Sequence, residues 1–135
     1  PQGTWSTVEI DKGTSDICGA SDMTKRCTAD VLHMVDKCPA TMRHFDAVLL
    51  NGVIGFGVNT EEDIQRLLLQ VDAVTRPGAL IVVGWNMRNA HLCCDTKQFL
   101  PRYQPQPLST TMTRRTTFTS VDSDHVFDTF RKIAT

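Results

Sequence analysis

Polar residues stand where several apolar, strand-like runs end. Asp11 follows Thr7-Val8-Glu9-Ile10, and Asp30 lies near the end of the weaker run Arg26 to Val31. Asn51-Gly52 follows Phe45-Asp46-Ala47-Val48-Leu49-Leu50, and Trp85-Asn86 lies just past Ala79-Leu80-Ile81-Val82-Val83. Open α/β sheets bind ligands outside the carboxyl ends of their strands, so these positions are candidate contacts. Each also has a plainer reading. Asp11 serves as a turn residue before Lys12-Gly13. Asp30 serves as a solvated acid or a helix N-cap. Asn51-Gly52 serves as a turn, and Trp85-Asn86 as a cap on the sheet.

Other constellations are weaker. Gly52-Val53-Ile54-Gly55-Phe56-Gly57 follows a strand and precedes a helix, but its glycines come in the wrong order for a dinucleotide fingerprint. His91 is a general-base candidate or an ordinary loop histidine. His91, Cys93 and Cys94 are too crowded for usual zinc-ligand spacing. Spacing reveals no Ser-His-Asp or Cys-His set.

The elements that must position these residues are clearest from Phe45 to Trp85. Phe45–Leu50 reads as a short strand bounded by Asn51-Gly52. Thr60 is a good N-cap, with Asp63 three residues on and Glu61 and Glu62 in the first turn. Ile64, Leu67, Leu68, Val71 and Val74 then form an apolar stripe at helical spacing. Arg76-Pro77-Gly78 supplies a C-terminal cation and then a breaker. Ala79–Val83 is apolar without alternation, which suits a strand covered on both faces. Strand, helix and strand make a right-handed βαβ unit with a parallel sheet. Upstream, Thr4–Ile10 reads as a strand and Pro39 interrupts the stretch after Val31. Downstream, residues 86–113 read as an irregular connection, with a helix start at Thr96 to Leu100. Arg115–Val121 and His125–Phe130 then form a closing hairpin.

Bulk properties narrow the class. The 135 residues suit one domain, 1–135, and 41% hydrophobic with 21% charged residues suits a soluble globular protein. A net charge of -1, from 14 basic and 15 acidic side chains, does not favour nucleic acid as partner. No apolar run reaches the ~18–20 residues of a membrane span, and the N-terminus has no signal-peptide pattern. The 5 cysteines include no Cys-x-x-Cys and read as reduced, mostly buried thiols in a cytoplasmic protein.

From Phe45-Asp46 through Asn51-Gly52, the capped helix and Arg76-Pro77-Gly78-Ala79-Leu80-Ile81-Val82-Val83, the sequence resembles class I S-adenosylmethionine-dependent methyltransferases. The resemblance makes these segments the family's fourth and fifth strands. It makes Thr7–Asp11 the second strand, whose terminal acid binds ribose hydroxyls through charge-assisted hydrogen bonds. It makes Ala29-Asp30-Val31 the end of the third strand, where an acid meets the adenine amino group. The closing hairpin corresponds to the family's antiparallel last strands. Asp11, Asp30, Asn51 and Gly52 are thus the implied contacts of S-adenosylmethionine.

The family's first strand and Gly-x-Gly-x-Gly loop should precede the ribose acid by about twenty residues; ten residues precede Asp11. That absent strand would lie between the second and fourth. Three arrangements answer this: the second strand pairs with the fourth, another chain supplies the strand, or Thr7–Ile10 itself occupies the first-strand slot. Spacing favours Thr7–Ile10 as the second strand. The expected fold is therefore an α/β, Rossmann-like three-layer sandwich, mainly parallel, with a C-terminal antiparallel hairpin, N-terminally incomplete. The expected function is methyl transfer to a small-molecule acceptor, without nucleic acid or membrane. The alternative is a non-catalytic, truncated binding or oligomerising module, because unpaired sheet edges promote self-association.

Overall fold

The computed structural model describes residues 6–9, 26–89, 102–107, 115–119 and 124–133. Strands β1 (Thr7–Glu9) and β2 (Arg26–Thr28) pair in parallel as a two-stranded sheet. A 3-10 turn (Val31–His33) and the short helix α1 (Met34–Lys37) follow. Then come β3 (Phe45–Asn51), α2 (Glu61–Val74) and β4 (Thr75–Asn86). A 3-10 turn (Met87–Asn89), β5 (Tyr103–Pro105), β6 (Arg115–Thr119) and β7 (Asp124–Lys132) complete the described elements.

The second sheet runs β3-β4-β7-β5, with β6 also on β7. β3 and β4 are parallel, and β7 is antiparallel to β4. β5 and β6 share the other edge of β7: β5 takes Phe130–Lys132 and β6 takes Asp124–Asp128. The predicted βαβ unit and closing hairpin are both formed. β5 falls in the stretch expected to be irregular. The helix expected at Thr96–Leu100 lies outside the described residues, as does Asp11.

α2 forms for the reasons its sequence states. The Thr60 hydroxyl accepts the Asp63 N–H at 3.1 Å, and Glu61, Glu62 and Asp63 face the positive end of the helix dipole. Ile64, Leu67, Leu68, Val71 and Val74 are all buried. They share one core with Leu50, Ile81, Val83, Val126 and Phe130 from the sheet. Burying a side chain of this size is worth about 1.5–3 kcal/mol, so this stripe is the main force holding α2 to the sheet.

The helix end departs from expectation. Arg76 lies past the helix, in β4, and pairs with Asp46 of β3. The cation at the α2 terminus is Lys132 from β7, whose Nζ donates to the carbonyls of Asp72 at 2.6 Å and Thr75 at 2.9 Å. Pro77-Gly78 does not separate helix from strand but sits inside β4, where the register against β3 shifts. Gly78 takes a φ of +80°, a conformation that glycine reaches without strain.

Two expectations about the N-terminal half are settled differently. Among the described residues β1 and β3 belong to separate sheets, so direct pairing of the two is not formed. The parallel β1–β2 pair fits the second-strand register for Thr7–Glu9. The five cysteines are not all thiols. Cys27 in β2 and Cys38 after α1, both buried, form a disulfide. Their pairing could not be read from spacing, because the N-cap alternative for Asp30 did not fix the path of the chain from Val31 to Cys38.

Candidate active site

The carboxyl ends of β3 and β4 meet the start of β7, because β7 runs antiparallel to both. Asn51 ends β3, Asn86 ends β4 and His125 begins β7. Strand alternation sets their common face. In the ladder Asn51 sits beside Gly84 and Asn86 sits beside His125. All therefore lie on the face opposite Leu50, Val83 and the α2 core.

Here the side chains converge. His125 Nδ1 lies 2.8 Å from Asn86 Oδ1, and His125 Nε2 lies 3.0 Å from Asn51 Oδ1. Asn86 is buried, while Asn51 stands exposed at the rim. The Phe127 ring meets His125 edge-on at 4.7 Å. Gly84 makes room for the group: a Cβ there would lie 2.4 Å from Asn51 Oδ1 and 3.0 Å from His125 Nε2.

The loop after Asn51 closes one side. Gly52, at φ +67°, donates its N–H to the Gly84 carbonyl at 3.3 Å. Ile54 and Val58 are buried anchors joined by a β-bridge, so the glycine-rich loop between them is held rather than free. Gly55 abuts Asn89 so closely that a Cβ there would lie 2.0 Å from its Nδ2. Beside this contact, the exposed Phe56 ring carries the Arg88 guanidinium 5.7 Å from its centroid.

A cleft joins this loop to the other sheet. Val8, Ala29, Asp30 and Val31 line one wall, and Val53, Phe56, Gly57 and Val58 the other. Asp30 caps the 3-10 turn, its Oδ1 accepting the Leu32 N–H at 2.9 Å. The N-cap reading of Asp30 is thus correct, and it coexists with a place on the cleft wall. Of the predicted contacts, the structure brings Asp30 to a cleft with Val53, Phe56, Gly57 and Val58; Asn51 and Gly52 are not among its lining residues and meet His125 and Gly84 instead.

Trp85 does not cap the sheet, because β4 runs on to Asn86 and holds Trp85 within the strand. It is buried on the core face, where its Nε1 donates to Asp128 Oδ2 at 3.0 Å. His91, Cys93 and Cys94 lie outside the described residues. His125 was read only as the start of a strand. Its partners lie 74 and 39 residues away, and only the antiparallel return of β7 brings them together.

No family model and no curated protein sequence matches the chain. Solved structures do. The N-methyltransferase NodS from Bradyrhizobium japonicum WM9 aligns with a TM-score of 0.68 at 12% identity, over 96% of this chain and 73% of its own. NodS in complex with S-adenosyl-L-homocysteine aligns at 0.67 with 14% identity, over 94% of this chain and 65% of its own. A TehB-like SAM-dependent methyltransferase from Corynebacterium glutamicum aligns at 0.59 with 15% identity, over 93% of this chain and 66% of its own. The chain thus spans 65% to 73% of the length of these proteins. With this likeness and its mixed sheet, the chain has the Rossmann-like α/β fold of S-adenosylmethionine-dependent methyltransferases.

Proposed function

We propose that this chain binds S-adenosylmethionine and transfers its methyl group to a small-molecule acceptor. The observation that carries the reading is the cleft between Asp30 and the Val53–Val58 loop, beside the strand ends where open α/β sheets bind ligands. The residues suit the donor. Val8, Ala29 and Val31 offer apolar walls to a planar base, and the Asp30 carboxylate offers an acceptor to its amino group. Asp11, which lies outside the described residues, is the ribose acid that the resemblance implies. When bound, the donor supplies an electrophilic methyl group on a sulfonium. The protein's work is alignment and exclusion of water, which needs few obligatory side chains.

Calorimetric titration with S-adenosylhomocysteine tests the reading. Saturable heat is expected; none at millimolar ligand overturns it.

A second reading, an oligomerising module, is favoured by β3. Its face opposite the α2 core presents exposed Ala47 and Leu49, the latter 63% exposed. Among the described residues β3 pairs only with β4, which leaves its other edge open to a strand from a second copy. Sedimentation distinguishes the readings: Leu49→Lys should shift a self-associating chain toward monomer, whereas a concentration-independent monomer in the parent chain removes the proposal.

For localisation we propose an oxidising compartment in place of the expected cytoplasm, with the disulfide as the support. Cys27–Cys38 favours an oxidising compartment over the cytoplasm. Among the described residues no helix is long and apolar enough to cross a membrane.

A further inference from the structure

We infer that His125 takes the proton that the acceptor releases during methyl transfer, and that Asn86 is the positioning residue that fixes its tautomer. This rests on the methyltransferase reading above and adds an acceptor class to it: a nitrogen or oxygen nucleophile that carries a hydrogen. A tertiary amine or a thioether releases no proton and has no use for this group.

The argument begins with the two sides of one ring. Nδ1 faces the Oδ1 atom of Asn86 at 2.8 Å, and Asn86 is buried. A carboxamide oxygen only accepts, and of the two that face the ring the buried Asn86 is less free to turn than the exposed Asn51, so Nδ1 carries the hydrogen. In an uncharged imidazole the other nitrogen, Nε2, then holds the lone pair. Nε2 faces outward to the exposed Asn51, 3.0 Å away. The buried partner therefore sets the tautomer, and the outward nitrogen is the basic one. The edge of Phe127 steadies the ring plane, and the missing side chain of Gly84 gives the ring its space.

Asn51 suits both protonation states. Its carboxamide can turn its NH2 to the Nε2 lone pair or its oxygen to an Nε2–H. An incoming N–H or O–H replaces the first contact without leaving Nε2 unsatisfied, and an exposed hydrogen bond is cheap to exchange. The balance is complete. The acceptor lone pair forms a bond to the methyl carbon, and the carbon–sulfur bond breaks with its electron pair on sulfur. The sulfonium becomes a thioether. The acceptor's proton passes to Nε2, and the resulting imidazolium donates to Asn86 Oδ1 and Asn51 Oδ1, the two oxygens that face the ring in the structure.

The test uses the whole chain labelled with 15N-histidine, with the His125 signals assigned through His125→Gln. Two-bond proton–nitrogen spectra report the tautomer directly. The expected ring is Nδ1–H with a pyridine-type Nε2, and Asn86→Leu should move the ring toward Nε2–H while exposed His33 stays unchanged. Saturation with S-adenosylhomocysteine, followed in parallel by calorimetry, should shift the His125 ring signals and leave those of His33 and His44 in place. An Nε2–H tautomer in the parent chain overturns the inference. So does measurable binding of S-adenosylhomocysteine with unmoved His125 signals, an outcome that leaves the methyltransferase reading standing. Absence of any binding heat overturns that reading and this inference together.

Discussion

Gly84 and Asn51 stand side by side in the β3–β4 ladder with no space for a methyl group between them. A Cβ on Gly84 would lie 2.4 Å from Asn51 Oδ1, well inside contact distance. The same Cβ would lie 2.7 Å from the Phe127 ring and 3.0 Å from His125 Nε2. Gly84 is therefore a glycine for reasons of space and not of backbone conformation. Gly84→Ala must push Asn51 and His125 apart, and overpacking of this kind costs about 1–3 kcal/mol. We predict a lower melting temperature and a changed His125 tautomer balance in the imidazole spectrum. A variant with both unchanged shows that the Asn51–His125 contact does not depend on this glycine.

Tyr103 gives a second prediction because it is the only tyrosine in the chain. Burial pushes its phenol well above the usual tyrosine range. The nearby Asp72 carboxylate adds to the rise and the Arg102 guanidinium opposes it. The folded protein thus keeps a proton that the unfolded chain releases near pH 10. Above that pH the unfolded state binds fewer protons than the folded state, so stability falls as pH rises. Below it both states hold the proton and the group exerts no pH dependence. Phenolate absorbance should appear only with unfolding, and Tyr103→Phe should flatten the alkaline decline. Reversible ionisation near pH 10 in the folded chain contradicts the burial.

The disulfide makes a third. Cys27–Cys38 closes a loop across a sequence separation of 11 and ties β2 to the end of α1. Cross-links of this kind typically contribute about 2–4 kcal/mol. Its position matters for the site, since Asp30 lies inside the loop. Paired Cys27→Ala and Cys38→Ala substitutions should lower the denaturant midpoint and weaken binding of S-adenosylhomocysteine. Peptide mapping under non-reducing conditions should recover the two cysteines in one linked fragment; recovery as separate thiols refutes the pairing.

These cases mark where sequence stops being informative. Thr60, Asp63 and the stripe from Ile64 to Val74 act within one helix, and local capping and periodicity predict them from neighbours alone. The β3–α2–β4 unit was legible for that reason, and with it the position of Asn51 and Gly52 at the end of β3. His125 carries no local signal, because its role arises from an antiparallel return over 74 residues. Lys132 is similar: a cation at the end of α2 was expected, but Arg76 was the neighbour in sequence and Lys132 the neighbour in space. β5 is only three residues long and ends in a proline, too short for alternation to register.

Asp30 separates local structure from ligand binding most cleanly. Its Oδ1 caps the turn that begins at Val31, and its carboxylate lines the cleft. Asparagine caps about as well as aspartate, so Asp30→Asn should change stability by no more than a few tenths of a kcal/mol. It removes the charge, and hydrogen bonds to charged groups contribute about 1.5–3 kcal/mol. Affinity for S-adenosylhomocysteine should therefore fall about tenfold or more, since about 1.4 kcal/mol is a factor of ten. Asp30→Ala should lose both the cap and the affinity. If Asp30→Asn binds as tightly as the parent chain while Asp30→Ala is destabilised, the residue serves the turn alone and the adenine contact must be sought elsewhere in the cleft.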